Sequence, residues 1–375
     1  MISSTTSATL WLDAAKAQAN IRFMAEKAAK HGLRLRPHLK TPQSIEVARW
    51  YREVGVTGVT VSSIAMAEYF ASDGWTDITL AMPLNVRELP RILALASRIR
   101  LNLVIDSEAA VNAILHGVGA ADPYVRVDGI DADERAAPSI FIKIDAGYHR
   151  TGIPAENLNQ IENLVTKIRN SPGLDFGGFL THAGHSYSCR SHSEIRALHA
   201  EQLRQLQPLN RFGGIVSIGD TPTCTVADDF SGIGEIRPGN FIYYDMKMVQ
   251  ISACSPDRIS ACMVAPVIST HPDRNEVILH GGSVHFSKDS MTQADGSVSF
   301  GQVVRLTESG WADVVDGAYL RSLCQEHGFV TGPPDFIQSL NIGDLVGVLP
   351  IHSCLTADCM GEVRTLDGNQ MLMMR

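Results

Sequence analysis

The chain has 375 residues, 45% hydrophobic and 19% charged, which suits a large buried core in two domains and excludes a disordered chain. Its formal charge of −8, from 32 basic and 40 acidic residues, leaves no basic footprint for nucleic acid, so any anion site must be built locally. No apolar run reaches membrane-spanning length, the start "MISSTTSATLWLD" lacks a signal-peptide pattern, and seven scattered cysteines argue for a reducing cytoplasm.

In chain order, "ATLWLD" (8–13) reads as a strand and Ala14–Lys30 as a helix. Eight short β-branched or apolar runs follow, at 33–37, 56–62, 77–83, 100–106, 139–145, 176–182, 214–220 and 235–244. Amphipathic stretches such as "SIEVARWYREV" and "ENLNQIENLVTKIRN" separate them, with apolar residues three and four apart. Eight strands alternating with helices predict a (β/α)8 TIM-like barrel over 14–245. Strand-like pieces such as "ACMVAPVIST", "NEVILHGG" and "DLVGVLPIHSC" dominate 246–375. They predict a mostly β second domain, joined by residues 1–13.

Polar residues gather where the eight runs end: Lys40, Ser62, Asp106, "DAGYHRTG", "THAGHSY", "GDTPT" and "YYD". In a barrel of this kind the carboxyl ends of the strands build the active site. Two of the loops suit a phosphate. "SIGDTPT" (217–223) and "RPGN" (237–240) offer glycine-freed backbone N–H groups, and the first adds hydroxyl donors. Lys40, at the end of the first run, is either a surface residue or a partly buried amine made nucleophilic by its setting.

The ordered elements "RPHLKT" (36–41), "IDAGYHRTG" (144–152), "THAGHSY" (181–187), "GDTPT" (219–223), "EIRPGNFIYYD" (235–245) and "LPIHSC" (349–354) span nearly the whole chain. The set resembles the fold-type III pyridoxal-phosphate enzymes, in the group containing D-serine dehydratase and D-threonine aldolase. That resemblance implies an alanine-racemase-like barrel and a pyridoxal 5'-phosphate held by Lys40 as a Schiff base. It places Arg150 near the cofactor's phenolic oxygen, and Gly219, Asp220, Thr221, Gly239 and Asn240 near its phosphate. Either Arg237 or Tyr187 would face the pyridine nitrogen. The generic motif continues past the lysine with His-Lys, whereas this chain has Pro42-Gln43, a departure that bears on the substrate side.

In "PIHSCLTADC" (350–359), His352 and Cys354 are two apart, so on a strand both would face one side and reach one divalent ion. Two ligands leave coordination positions for water and substrate, as a Lewis-acid site requires. Ligand softness favours zinc, with manganese, cobalt and magnesium as alternatives. In the resemblance, His-x-Cys goes with the dehydratases and His-x-Asp with the aldolases.

The resemblance therefore implies a metal- and pyridoxal-phosphate-dependent ammonia-lyase acting on a D-β-hydroxy amino acid. The motif set most resembles the D-threo-3-hydroxyaspartate dehydratases, giving oxaloacetate and ammonia; D-serine, giving pyruvate and ammonia, is next. A metal-dependent D-threonine aldolase is the alternative, then a racemase or a non-catalytic pyridoxal-phosphate protein. Lys40 would remove the Cα proton, and Arg190 is a candidate for a distal carboxylate. His38 reads as a packing residue; one of His182 and His185 would touch cofactor or substrate; 280–289 reads as structural. Relatives suggest a homodimer.

Overall fold

The computed structural model describes residues 2–120 and 138–375. They form two compact units. Strand β1 (Thr9–Leu12) belongs to the second of these.

The first unit comprises Met24–Lys40 and Arg52–Gly239. Its strands are β2 (Arg34–Leu35), β3 (Val59–Val61), β4 (Asp77–Pro83), β5 (Arg100–Ile105), β6 (Ser139–Asp145), β7 (Ile153–Pro154), β8 (Asp175–Leu180), β9 (Ile215–Ile218) and β10 (Glu235–Ile236). Eight are parallel in the order β2-β10-β9-β8-β6-β5-β4-β3, and β7 pairs only with the end of β6. The ring closes between the segment that follows β2 and strand β3: the Leu39 N–H donates to Thr60 O (2.8 Å) and the Thr60 N–H to Pro37 O (2.9 Å). This is the predicted eight-strand barrel. Each strand is covered on both faces, so its residues are apolar in runs. The helix Leu158–Arg169 shows the covering layer: it buries Ile161, Leu164, Val165 and Ile168 and is capped by Asn157, which accepts from the Gln160 N–H.

Two of the expected runs are shorter than read. The regular strand within 33–37 is Arg34–Leu35, although hydrogen bonding across to the neighbouring segment continues beyond it: the Arg36 N–H donates to Ile236 O (2.9 Å) and the His38 N–H to Pro238 O (2.9 Å). The run 235–244 stops at Ile236; Pro238 and Gly239 follow, and Asn240–Ile242 forms a 3-10 turn.

The second unit comprises Met1–Phe23, Thr41–Tyr51 and Asn240–Arg375. Its further strands are β11 (Ala261–His271), β12 (Glu276–His280), β13 (Met291–Thr292), β14 (Val298–Ser299), β15 (Gly301–Thr307), β16 (Gly310–Leu323), β17 (His327–Thr331), β18 (Leu345–Pro350), β19 (Glu362–Thr365) and β20 (Gln370–Leu372). Strands β12-β17-β16-β15-β18-β11 run antiparallel, and β11 pairs back to β12. Strand β1 joins antiparallel to β11 and parallel to β19. Alternating residues such as Leu10, Leu12, Met263, Val348, Leu320 and Val330 fill its core. Among the described residues no helix is long and apolar enough to cross a membrane.

Candidate active site

In the first unit the polar strand ends form a cationic cradle. Lys40 ends the segment that closes the barrel, and its backbone N–H donates to His38 Nδ1 (3.3 Å). Its side chain is exposed, the first of the two alternatives the sequence left open. Arg150 lies in the loop after β6, its guanidinium 5.3 Å from the centre of the Tyr148 ring. That ring also packs edge-on against His182 and stacks on His185.

The loop after β9 is held from both sides. His182 Nδ1 donates to Gly219 O. Burial is the main reason the His182 imidazole is pushed down to about 3; Arg150, Lys40 and Arg237 add to it. A Cβ on Gly219 would lie 3.0 Å from Arg237 O, a tight contact that glycine avoids. Asp220 is the N-cap of the turn of helix Thr221–Val226: it accepts from the Thr223 N–H (2.8 Å) and hydroxyl (2.7 Å) and from Ser186 (2.9 Å). These contacts shape the loop. The Thr221 N–H donates to the Tyr187 hydroxyl (3.4 Å), and among the described residues Thr221 Oγ1 is buried without a partner.

Arg237 rises from the end of β10, fully shielded. It donates through Nη1 to Ser217 Oγ (2.5 Å) and through Nη2 to Thr181 O (2.8 Å). Its Nε has no partner among the described residues. Burial lowers its affinity for a proton, to about 10, against the pull of Glu235. Lys143, in the middle of the apolar β6, donates to Ile144 O (3.0 Å); burial, then Arg237 and Arg150, bring its amine down to about 7. Sequence reasoning passed over Lys143, although a lone lysine inside "SIFIKID" was the visible signal.

These residues fit pyridoxal phosphate. An orphaned hydroxyl at the head of a glycine loop suits a phosphate oxygen, and a buried guanidinium N–H without an acceptor suits a ring nitrogen. Clustered cations suit the phenolate and phosphate charges. Gly239 is buried at the end of this unit, after Pro238.

The second unit holds the cysteine pair. The expected strand geometry is not what brings His352 and Cys354 together. Strand β18 ends at Pro350, His352 caps the helix Ser353–Met360, and Cys354 stands on its first turn. The two side chains still hydrogen-bond each other. Burial lowers the His352 imidazole, but Cys354, Asp245 and Asp289 outweigh it and push it up to about 9. Asp289 Oδ2 lies 3.6 Å from His352 Nδ1, so one residue of the 280–289 segment does face the pair. Cys354 Sγ is 3.0 Å from Thr41 Oγ1 and 3.6 Å from Asn240 Nδ2. Asn240 also donates to Asp245 Oδ2 (2.6 Å) and Ser353 Oγ (3.1 Å). It is therefore grouped with the cysteine pair, and its Oδ1 has no partner among the described residues. Asp358 accepts from Gln43 (2.8 Å), while Cys359 is exposed.

A site that draws a proton to its imidazole because anionic groups surround it also answers to a cation. Imidazole, thiol and the two neighbouring carboxylates suit a divalent ion. Among the described residues no group of three or more His, Cys, Asp or Glu is arranged to hold a metal by itself.

Comparison with known proteins gives two family models. The family model for the alanine racemase N-terminal domain matches residues 12–247, and one described as a serine dehydratase domain matches 260–366. The chain is 31% identical to D-threo-3-hydroxyaspartate dehydratase of Delftia sp. (strain HT23), over 92% of this chain and 90% of that one. It is 28% identical to D-serine dehydratase of Dictyostelium discoideum, over 93% and 90%. A solved structure of a cysteine-to-alanine mutant of D-threo-3-hydroxyaspartate dehydratase, in the metal-free form, superposes with a TM-score of 0.88 at 28% identity. That match covers 100% of this chain and 99% of the other.

Proposed function

We propose that this chain, which belongs to the alanine racemase N-terminal domain family of fold-type III pyridoxal-phosphate enzymes, is a dehydratase. It would release ammonia from a D-β-hydroxy amino acid, D-threo-3-hydroxyaspartate first and D-serine second. The observation that carries the reading is the His352–Cys354 pair, with Cys354 Sγ 3.0 Å from the hydroxyl of Thr41, the residue after Lys40. A metal-free form of a cysteine mutant of a similar dehydratase supports a metal here, and the sulfur ligand favours zinc.

When bound, pyridoxal phosphate supplies an electron sink for a carbanion at the substrate Cα. The divalent ion supplies a Lewis acid for a hydroxide leaving group. The chain's own residues do the rest. Lys40 Nζ would hold the cofactor and would take the Cα proton. Thr221 Oγ1 and the backbone of Gly219 to Thr221 would hold the phosphate, and Arg150 would face the phenolic oxygen. Of the two candidates for the ring nitrogen, Arg237 is favoured by its unpartnered Nε, because Tyr187 is engaged with the Thr221 N–H. A guanidinium, which keeps its proton, would donate there and would leave the nitrogen without one of its own. Gly239 and Asn240 complete the loop, Asn240 facing Cys354 with its amide nitrogen. Arg190 donates to Ser188 O (3.0 Å) and Cys189 O (2.8 Å) on its own loop and is exposed, a place from which it can meet a distal carboxylate.

A homodimer and a cytoplasmic location belong to the same proposal; that none of the seven cysteines forms a disulfide supports the latter. Product analysis on D-threo-3-hydroxyaspartate, D-serine and D-threonine tests the reading. Ammonia with a 2-oxo acid is expected; glycine with an aldehyde would make the chain an aldolase.

A further inference from the structure

We infer that Thr41 is the positioning residue of the metal site, holding the Cys354 sulfur through its hydroxyl; the inference rests on the metal-binding reading above. Thr41 is fully buried, with Oγ1 3.0 Å from Cys354 Sγ. In a thiol–hydroxyl pair either atom can donate. A sulfur that ligates a metal is a thiolate and carries no proton. With the ion in place, the contact has one workable direction, Thr41 O–H to Cys354 S⁻, and it becomes charge-assisted.

Asn240 is the weaker donor to the sulfur. Asn240 Nδ2 stands at 3.6 Å and has two hydrogens for three acceptors: Asp245 at 2.6 Å, Ser353 at 3.1 Å and Cys354 itself. The nearest acceptors claim them. Thr41 is also held in register with the helix it serves. Two residues on, Gln43 Nε2 donates to Asp358 Oδ1 (2.8 Å), on the helix Ser353–Met360 that carries Cys354. The Gln43 carbonyl accepts from the Met374 N–H (2.7 Å). Gln43 takes a left-handed backbone (φ 45°), a conformation a non-glycine residue keeps only where its surroundings fix it. The departure Pro42-Gln43 thus acquires a purpose: it pins Thr41 opposite the sulfur.

A site with two protein ligands draws little affinity from ligand count, so outer hydrogen bonds weigh more. Partners of this kind are worth about 10–100-fold in metal affinity. A threonine that merely packed would behave otherwise. Replacing its buried hydroxyl by a methyl of the same shape would leave metal binding unchanged.

The test uses the cofactor-loaded full chain and Co²⁺ as probe. Its Kd is measured by chelator competition and its thiolate-to-cobalt charge-transfer band by absorption. Thr41→Val is expected to bind Co²⁺ about 10–100-fold more weakly, with a shifted or weakened band, while Thr41→Ser stays within about threefold of the parent. Thr41→Ala, which also lacks the hydroxyl, replaces the valine variant if that one does not fold. Hydroxyl-free variants that match the parent in Kd and band overturn the inference alone. A parent that binds no Co²⁺, or binds it equally well after Cys354→Ala, overturns the metal-binding reading and the inference with it.

Discussion

Arg36 and Glu235 meet inside the eight-strand barrel, Nε to Oε2 at 2.7 Å, with 2% and 1% of their side chains exposed. Arg36 also forks onto Asp77 through two nitrogens at 2.8 Å, and Glu235 accepts from Ser217 (2.6 Å), which in turn accepts from Arg237. One buried carboxylate thus stands between two buried guanidinium groups, one reached directly and one through a hydroxyl. The chain Asp77–Arg36–Glu235–Ser217–Arg237 ties the floor of the barrel to the residue offered to the cofactor.

Glu235→Ala should be strongly destabilising. It removes the shared acceptor and leaves Arg36 and Arg237 in a water-poor interior with less compensation. Breaking one side of a buried pair costs about 3–5 kcal/mol. Urea unfolding of the variant should show a loss of this size; a loss below about 1 kcal/mol would mean that Asp77 suffices as counter-charge.

Cys354→Ala should separate the two halves of the chemistry. The cofactor residues lie in Met24–Lys40 and Arg52–Gly239, whereas the sulfur sits on the helix Ser353–Met360 of the other unit. The variant should keep the cofactor's absorption, lose metal stoichiometry and lose ammonia release by several orders of magnitude. Metal analysis alongside an ammonia assay checks this, and retained turnover would remove the ion from the reaction.

His182 should make stability depend on pH. Its folded-state value, about 3, lies below the ordinary 6.5, mainly through burial. The unfolded chain therefore takes up this proton first. The contribution is complete above about pH 6.5 and is lost as pH falls toward about 3. Unfolding free energies of the apoenzyme and of His182→Asn should diverge with a slope of at most about 1.4 kcal/mol per pH unit in that window, and parallel curves would contradict the burial argument.

The barrel was legible because β-branched runs at regular spacing leave few alternatives to a parallel sheet covered by helices. Strand ends were less legible. The regular strands stop at Leu35 and Ile236, short of the apolar runs, although the Arg36 and His38 N–H groups still donate across to Ile236 O and Pro238 O. The pair His352 and Cys354 was found for a reason that does not apply: a helix start, not strand alternation, brings them together. Asn240 reads in sequence as part of a phosphate loop, yet its amide nitrogen contacts Cys354, more than a hundred positions away, and no local pattern encodes such a contact. Asp289 and Thr41 were hidden for the same reason, while Lys143 was open to view as a charge inside an apolar strand.

The central claim, that Lys40 is the residue to which the cofactor attaches, is tested most directly by borohydride reduction of the purified protein and mapping of the phosphopyridoxyl-labelled peptide. The account predicts a single label at Lys40, abolished by Lys40→Ala. Lys143 is the informative competitor, a buried amine brought down to about 7 in the same barrel. A label on Lys143, or on no lysine, would contradict it.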